Sequence, residues 1–454
     1  MPTEIRQYVR SLGLDAYVVG GAVRDELLGV PHADEDFLVP GVDHARLRAL
    51  LEPHGRIEDL EVHGQLVGVR MYPRDRAIRT LAPAGIELTP PRAERSTGPG
   101  HRDFAIVSDA SIGIAEDMAR RDFTINAMAR RLSTGELVDP FGGLADLARR
   151  ELRTVSEQSF REDPLRILRG LRLVSQLGFT PTGSTLAAMR LNAGGMRHVS
   201  AERIGGGLAA DGMGELSKLL LGARPARALR LARDTGVLVE VVPEFAMAVG
   251  YRLESERQPL PLDEHLFDVV QRAADADLPL ALRLGALLHD LGKPEADETG
   301  APHAPMGAAI TSRALRRLRY PTQLRRYVVG LVAGHAFSLD GPLDGLFARR
   351  FLAAHGDAQA FDLVAHKRVD LLAKRVTTAE HDRLDLLERL LKSEQSSPHR
   401  VSDLAVDGRD LIEIGFDESP ALGRVLAMLL DEVLDEPARN TRETLLERAK
   451  QELQ

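Results

Sequence analysis

Two different spacings of apolar residues divide this chain near residue 140. Before that point, short apolar runs typical of β-strands stand between helical stretches, at 17–19, 37–39, 66–69 and 86–88. After it, nearly every stretch has the period of amphipathic helices, as in LRILRGLRLVSQLG and ALGRVLAMLLDEVL. The pattern predicts an α+β fold, in which a mixed N-terminal sheet with helices is followed by all-α domains.

The first polar motif accompanies the first predicted strands. Gly20 and Gly21 follow one strand and precede a helix that carries Arg24, and glycines let backbone N–H groups approach a phosphate closely. Asp34 and Asp36 are two residues apart beside an apolar run, so on a strand both carboxylates project to one face. Two carboxylates on one face predict a Mg²⁺ site for metal-dependent nucleotidyl transfer.

A second motif is the block RRDFTINAMA at 120–129, followed by DPFGG. Its arginines, Arg121 among them, suit phosphates, and Asp122 and Asn126 lie one turn apart and can face one ribose hydroxyl. The alternative is a helix start that Asp122 caps, with solvated arginines.

With the glycine pair and the two aspartates, this block resembles the polymerase β-like nucleotidyltransferases. Within them the chain resembles the class II tRNA nucleotidyltransferase (CCA-adding enzyme) and bacterial poly(A) polymerase family. The resemblance implies that the block recognises the ribose. It also implies a third catalytic carboxylate at Glu87, which alternates with apolar neighbours as a strand residue does.

The motif REDPLRILR at 161–169 suits base recognition. Pro164 fits the first turn of a helix, which predicts Asp163 and Arg166 on one face. A carboxylate accepts and a guanidinium donates, so the pair matches cytosine and adenine and mismatches uracil and guanine. The alternative is an exposed ion pair. The family uses its matching pair as a protein template, and Arg169 is assigned with it to nucleotide binding.

A further group of histidines and aspartates lies in the C-terminal half. His265, His289, Asp290 and Asp370 resemble the ligands of an HD-type metal phosphohydrolase. Such ligands hold a divalent ion, Mg²⁺, Mn²⁺, Ni²⁺ or Co²⁺, that activates water against a phosphoester. Two further histidines are assigned as accessory ligands or phosphate contacts, His303 and His335.

A chain of 454 residues has room for about three domains, and the motifs divide this one more finely. We predict a catalytic domain at 1–145, a neck domain for base recognition at 146–250, an HD-like domain at 251–375 and a tRNA-binding tail at 376–454. The polar, glycine-rich stretch 92–101 predicts a mobile loop. The resemblance extends to CCA-adding enzymes that carry an HD domain, and it implies that a loop here helps the site change from C to A addition. A glycine-rich run after Arg203 predicts a loop or a locally flexible neck.

Composition constrains the partners. A net charge of −8 argues against a generally sticky nucleic-acid binder, so RNA binding must rest on local basic surface. The candidates lie in one helical region: Arg313, Arg316, Arg317, Arg319, Arg325 and Arg326. The chain has no cysteine, which excludes disulfides and thiolate metal sites. No window resembles a membrane span or a signal peptide, so we expect a cytoplasmic protein.

The sequence therefore predicts an RNA nucleotidyltransferase that builds or repairs the 3′-terminal CCA of tRNA from CTP and ATP. No DNA or membrane partner is expected, and a monomer or a homodimer is equally compatible. One alternative is a poly(A) polymerase or an enzyme adding only CC or only A. The alternative from another class is an HD phosphohydrolase whose N-terminal half merely binds nucleotide.

Overall fold

The computed structural model describes residues 3–31, 35–62, 64–96, 104–108, 110–206 and 213–453. The chain forms two compact units, Met1–Pro243 and Glu244–Gln454. The first contains the strands and the second is helical, which confirms the predicted α+β class. No helix among the described residues is long and apolar enough to cross a membrane.

Among the described residues, the first unit contains a seven-stranded mixed sheet and two separate two-stranded sheets, which together use eleven strands. These are β1 (Tyr17–Val19), β2 (Asp36–Leu38), β3 (Gly55–Val62), β4 (Gln65–Pro73), β5 (Ile86–Thr89), β6 (Arg92–Ser96), β7 (Phe104–Ser108), β8 (Ala129–Arg131), β9 (Leu137–Val138), β10 (Glu151–Leu152) and β11 (Thr180–Pro181). The order in the main sheet is β3-β4-β5-β2-β1-β8-β9. Strands β2 and β5 pair in parallel, and the other pairs in this sheet are antiparallel.

The four predicted apolar runs all fall on strands of this sheet, at β1, β2, β4 and β5. The prediction of a loop at 92–101 is wrong for residues 92–96. There β6 pairs antiparallel with β7, because a polar sequence forms a strand when a neighbouring strand satisfies its backbone. Residues 97–103 lie outside the described part of the chain.

Helices cover the sheet and form the neck of the first unit. They are α1 (Thr3–Ser11), α2 (Gly21–Leu28), α3 (His44–Leu51), α4 (Arg76–Leu81), α5 (Ile114–Ala119), α6 (Gly143–Arg149), α7 (Ser159–Glu162), α8 (Leu165–Leu177), α9 (Gly183–Asn192), α10 (Ala201–Ile204), α11 (Glu215–Leu220), α12 (Pro225–Asp234) and α13 (Val237–Val241), with 3₁₀ turns at Thr124–Asn126 and Ala193–His198. Helix α8 is buried over most of its circumference, and its partly exposed residues include the narrow polar stripe Arg169, Arg172 and Gln176.

The glycine-rich run interrupts the neck helices. Helix α10 ends at Ile204, and the next described helix begins at Glu215. Gly214 donates from its backbone N–H to the carbonyl of Gly205 at 2.9 Å, so the two sides of the interruption meet. A Cβ on Gly214 would lie 2.4 Å from backbone atoms of Ile204, so only glycine permits this approach. Residues 207–212 lie outside the described ranges.

The second unit is helical, and its described residues include two apolar clusters. The helices are α14 (Leu262–Asp275), α15 (Leu280–Leu288), α16 (Lys293–Thr299), α17 (His303–Arg317), α18 (Thr322–Gly334), α19 (Gly345–His355), α20 (Asp357–Leu372), α21 (Thr378–Glu394), α22 (Gly408–Glu413), α23 (Pro420–Asp435) and α24 (Arg442–Gln451), with 3₁₀ turns at Pro243–Ala248, Val401–Asp403 and Pro437–Arg439. One cluster joins residues from α15 and α18 through α21. The other lies between 404 and 449.

Candidate active site and a second candidate metal centre

The carboxylates of the predicted Mg²⁺ site lie on adjacent strands. Asp36 in β2 is opposite Glu87 in β5, and paired residues of neighbouring strands project to the same face. Glu87 also forms an ion pair with Arg70, its partner in β4. Asp34 lies outside the described residues. The sheet therefore brings Asp36 and Glu87 together, with Glu87 held by an arginine that the sequence did not indicate.

Glu35, between the two aspartates, faces a different partner. Its carboxylate is almost fully buried and accepts two hydrogen bonds from Arg6 of α1, at 2.6 and 2.9 Å. A buried ion pair of this kind fixes the course of the chain just before β2. The ion pair between Arg6 and Glu35 therefore helps to fix the backbone that carries Asp36.

The glycine pair makes room for two arginines at the start of α2. Gly20 has φ of +73° and ψ of −132°, a conformation that only glycine adopts readily. A Cβ on Gly20 would lie 2.5 Å from Nη1 of Arg121, and one on Gly21 would lie 3.4 Å from Nη2 of Arg24. Two guanidinium groups thus converge where the sequence predicts a triphosphate.

A chain of hydrogen bonds joins the predicted nucleotide-binding residues. Arg24 donates from Nη1 to Oδ1 of Asn126 at 2.5 Å, and Asn126 donates from Nδ2 to Oδ1 of Asp122 at 2.9 Å. The other Asp122 oxygen accepts from Nε of Arg169 at 2.7 Å. Burial alone raises the pKa of Asp122, but Arg169 and Asn126 outweigh it and hold that pKa below its usual value.

The RRDFTINAMA block is not a helix. Asp122 and Asn126 meet across the 3₁₀ turn Thr124–Asn126, after which the chain enters β8. Asp122 does hydrogen-bond a following backbone N–H, that of Phe123 at 2.8 Å. The residues around the turn are buried in the sheet domain, so packing sets the backbone here.

Asp117 is a site residue that the motif analysis missed. It is fully buried and accepts from Arg120 at 2.8 Å and from Arg121 at 3.2 Å. Burial raises the pKa of Asp117, yet the two guanidinium groups outweigh this effect and lower it. The signal was present in the sequence, because Asp117 stands three and four residues before the two arginines.

The predicted base-reading residues flank the start of α8. Asp163 has an extended backbone and precedes the helix, with its Oδ1 accepting from the N–H of Leu165 at 3.0 Å. Asp163 thus caps the first turn of α8 instead of lying within it, and its position on one face with Arg166 stays a prediction. Arg203 donates to the other Asp163 oxygen at 3.0 Å.

The side chain of Arg166 has partners other than those of Asp163. It donates from Nη1 to Glu162 at 2.9 Å and from Nη2 to the backbone carbonyl of Arg120 at 2.7 Å. Asp163 and Arg166 thus have different partners and are held independently of each other. Each keeps hydrogen-bonding capacity, since a guanidinium has five N–H donors and a carboxylate about four acceptor sites.

The second unit contains a cluster that we call the His/Asp centre, consisting of His265, His289, Asp290, His303, His335 and Asp370. Its first half lies on α14, α15 and α20. Nε2 of His265 is 3.1 Å from Oδ1 of Asp370, and Nε2 of His289 is 3.2 Å from Oδ2 of Asp290. All four side chains are buried.

The other half of the His/Asp centre meets it at Asp290. Nε2 of His303 and Nε2 of His335 lie 3.4 and 3.3 Å from Oδ1 of Asp290, and 3.2 Å from each other. Burial lowers the pKa of His303 to about 4, which leaves its imidazole neutral and able to ligate a metal. The structure therefore brings together all six residues that the sequence predicted.

The donor set fits a divalent ion. Nε2 of His265, Nε2 of His289 and Oδ1 of Asp370 are buried close to one another, yet their contacts among the described residues lack the geometry of a hydrogen bond. Ligand atoms of His265, His289 and Asp290 all lie within 4.8 Å of one another. Buried polar atoms without partners are costly, and a transition metal coordinated by imidazole and carboxylate satisfies them.

Two lysines and one histidine complete the surroundings of the His/Asp centre. Lys293 lies 2.6 Å from Asp290, and Lys374 lies 2.7 Å from Asp370. The ring of His366, also fully buried, packs 4.9 Å from that of His289. None of the three was assigned from sequence, although Lys293 and Lys374 stand three and four residues after the aspartates that they contact.

The predicted basic surface lies on α17, α18 and the turn between them. Arg317 is bound to Glu244 at 2.6 Å. Four others are exposed: Arg313, Arg316, Arg319 and Arg326. Arg325 is partly buried. The region therefore presents a local excess of positive charge on an acidic protein.

Comparison with known proteins agrees with this geometry. The family model described as the poly A polymerase head domain matches residues 16–153. The probable RNA and SrmB-binding site of polymerase A matches 178–248, and the putative domain 2 of tRNA nucleotidyltransferase matches 306–449. The "Multifunctional CCA protein" of Ralstonia nicotianae is 34% identical over 336 residues, covering 71% of this chain and 72% of that relative. The chain belongs to the CCA-adding nucleotidyltransferase family.

Other relatives extend the match over most of the chain. The protein of the same name from Xanthomonas campestris pv. campestris is 32% identical over 442 residues, covering 90% of this chain and 96% of that protein. The crystal structure of the Bacillus stearothermophilus CCA-adding enzyme in complex with CTP is 26% identical, with a TM-score of 0.69, covering 99% and 97% of the two chains. The predicted family and fold are thus confirmed. The comparisons favour CCA addition over both alternatives.

Proposed function

We propose that this nucleotidyltransferase completes and repairs the 3′-terminal CCA of tRNA with CTP and ATP, using Asp34, Asp36 and Glu87 as its catalytic carboxylates. The observation that carries the proposal is the pairing of Asp36 with Glu87 on one sheet face of a family member. Mg²⁺ bound to Asp34 and Asp36 would activate the tRNA 3′-hydroxyl and stabilise the leaving pyrophosphate. The cytoplasm, where tRNA is matured, is the expected compartment.

The residues around the carboxylates have separate roles in this proposal. Arg24 and Arg121, which converge over the glycine pair, bind the triphosphate as charge-assisted donors. Asp122 and Asn126 face the ribose, and their mutual hydrogen bond holds both in one orientation. Arg169 keeps Asp122 ionised, so that it accepts from a ribose hydroxyl.

Asp163 and Arg166 select the base. Asp163 accepts from the amino group of cytosine or adenine, and Arg166 donates to the adjacent ring nitrogen. Their fixed partners support this division, since Arg203 holds the carboxylate and Glu162 holds the guanidinium. Uracil and guanine present the reverse order, so each wrong base leaves polar groups unpaired.

tRNA transcripts with defined 3′ ends test the proposed CCA addition. Transcripts ending before the first C, the second C and the final A are incubated with CTP and ATP, singly and together. Addition that stops after CCA supports the proposal, whereas long A tails favour a poly(A) polymerase and arrest after one step favours a partial enzyme. Asp36→Asn should abolish incorporation, and Asp15→Asn, an exposed aspartate paired with Arg131, should leave it intact.

Asp163→Asn tests base selection separately. An amide that offers a donor where the base also donates should lower the preference for CTP and ATP over UTP and GTP by about 5- to 160-fold, for about 1–3 kcal/mol of discrimination. The neighbouring Arg161→Gln is a matched control, because that side chain is exposed. Unchanged nucleotide preference in Asp163→Asn would show that this carboxylate does not read the base.

We propose in addition that the His/Asp centre is an HD-type phosphohydrolase acting on 2′,3′-cyclic phosphates or 2′-phosphates at damaged RNA ends. The two oxygens of Asp290 face different halves of the centre, which suits two divalent ions such as Mg²⁺, Mn²⁺, Ni²⁺ or Co²⁺. The name "Multifunctional CCA protein" of the relatives is consistent with a second activity. Removing such a phosphate restores the hydroxyl that CCA addition needs.

Replacement of the ligands separates the two activities. His289→Ala combined with Asp290→Ala should eliminate metal-stimulated phosphodiesterase activity and spare CMP and AMP addition, because neither residue belongs to the first unit. His289→Gln, which is closer in size, controls for loss of folding. A wild-type protein inactive with all four metals would show that the centre is structural.

A further inference from the structure

A cavity of about 950 Å³ opens onto the His/Asp centre within the second unit. Two residues of the centre, His303 and Asp370, line its floor together with Lys293, Lys367 and Lys374. A volume of this size suits a nucleotide-sized ligand, since small-molecule sites span roughly 300–1,000 Å³. The cavity therefore joins the metal ligands to a site large enough for more than a phosphate.

The three lysines of the cavity differ in their partners. Lys293 is 2.6 Å from Asp290 and donates to Gln258 at 2.9 Å, and Lys374 donates to Asp370 at 2.7 Å. Lys367 forms no ion pair with a carboxylate among the described residues. Lys293 and Lys374 thus contact a carboxylate directly, whereas Asp370 and Asp290 act on Lys367 only from farther away, and burial lowers the pKa of Lys367.

The surroundings of Lys367 place its ammonium group. The nitrogen lies 5.1 Å from the centroid of the Phe337 ring, a cation–π contact that orients the side chain. Lys367 is partly buried, and a buried cation is stable only when an anion or polar groups compensate it. A ligand anion in the cavity supplies that compensation.

We infer that Lys367 binds the phosphate of the substrate at the His/Asp centre and favours a nucleotide phosphomonoester over a cyclic phosphodiester. This rests on the proposed hydrolase function. A monoester carries nearly two negative charges at neutral pH and a diester carries one, so an ammonium group beside the phosphate attracts the monoester more strongly. Tyr251 lines the same cavity, and an aromatic ring at this place can stack on a nucleoside base.

The assigned reaction is hydrolysis. A water oxygen forms a new bond to phosphorus, the ester P–O bond breaks, and the departing ribose oxygen takes up the proton. The products are a free hydroxyl and inorganic phosphate. No oxidant or further reactant is required, and Lys367 takes no part beyond holding the phosphate.

Binding and turnover of two probes test the inference on the full-length protein. Adenosine 2′-monophosphate is the monoester, and adenosine 2′,3′-cyclic monophosphate is the diester. Affinity is measured calorimetrically with EDTA present, which prevents turnover, and kcat/KM is measured with Mn²⁺. Lys367→Met should weaken monoester binding about tenfold and diester binding clearly less, and Lys367→Arg should restore most of the difference.

Lys450→Met is the matched control, because Lys450 is an exposed lysine at the end of α24 in the same unit. Equal losses for both probes in Lys367→Met, or no loss, would overturn the inference, as would a wild-type protein that binds neither probe. Wild-type protein that binds the monoester through Lys367 but hydrolyses neither probe supports the binding site. Binding without hydrolysis would at the same time refute the proposed hydrolase function.

Discussion

Gly20→Ala tests the geometry at the start of α2. The backbone of Gly20, at φ +73° and ψ −132°, strains any other residue by about 1–3 kcal/mol. The new Cβ would also stand 2.5 Å from Nη1 of Arg121 and must displace that guanidinium. Displacement weakens its 3.2 Å contact with buried Asp117, and a hydrogen bond between charged groups is worth about 1.5–3 kcal/mol.

The two effects together predict a loss of about 2.5–6 kcal/mol in the free energy of unfolding. They also predict a KM for CTP about 10- to 100-fold higher, because Arg121 is the proposed phosphate ligand. Gly29→Ala, at the other end of the same helix, is the matched control. Gly29 has φ +68° and open space around it, so alanine there costs only about 1–2 kcal/mol.

Urea unfolding followed by circular dichroism gives the stabilities, with the transition of the first unit assigned by hydrogen exchange. CMP incorporation gives KM. If the steric contact with Arg121 matters, Gly20→Ala should cost less in an Arg121→Ala background than in the wild type. Equal stabilities and equal KM values for Gly20→Ala and Gly29→Ala would refute the reasoning.

Two further predictions concern charges inside the units. Arg169→Met should lower the free energy of unfolding by about 1–3 kcal/mol at neutral pH, because Asp122 stays buried and loses its cation. The difference in the free energy of unfolding between wild type and variant should shrink in acid as Asp122 is protonated. An unchanged urea midpoint for the variant at neutral pH would contradict the prediction. Burial lowers the pKa of His289, but Asp290 and Asp370 outweigh it and raise that pKa to about 9. Affinity for Mn²⁺ should therefore rise with pH, up to about tenfold per unit between about pH 6 and about pH 8, as the proton is displaced. Calorimetry in buffers of different ionisation enthalpy should detect about one released proton, and a pH-independent affinity would exclude this assignment.

Local sequence patterns predicted the elements well where periodicity and packing agree. The apolar runs became strands of one sheet, and LRILRGLRLVSQL became α8, a helix that is mostly buried. The patterns failed where hydrogen bonding to a neighbouring strand determines the secondary structure. β6 is polar and forms a strand because β7 lies beside it, and the RRDFTINAMA block turns into β8 although it contains ordinary helix formers.

By itself the sequence determined which chemical groups are present and in which order. The aspartate pair, the arginine-rich block, Asp163 with Arg166 and the histidines each stand at a spacing that restricts their chemistry, and their order identified the family. This information is local, because side chains two to four residues apart meet through the geometry of one strand or one helix turn.

Tertiary structure alone decided which of these groups meet across long stretches of chain. Arg24 reaches Asn126, 102 residues later, and Arg203 reaches Asp163, 40 residues earlier. It also set Lys293 and Lys374 in direct contact with carboxylates, while Lys367 in the same cavity forms no ion pair within the described part of the chain. Such pairings depend on how elements distant in sequence pack, a cooperative property of the whole unit that no local spacing contains.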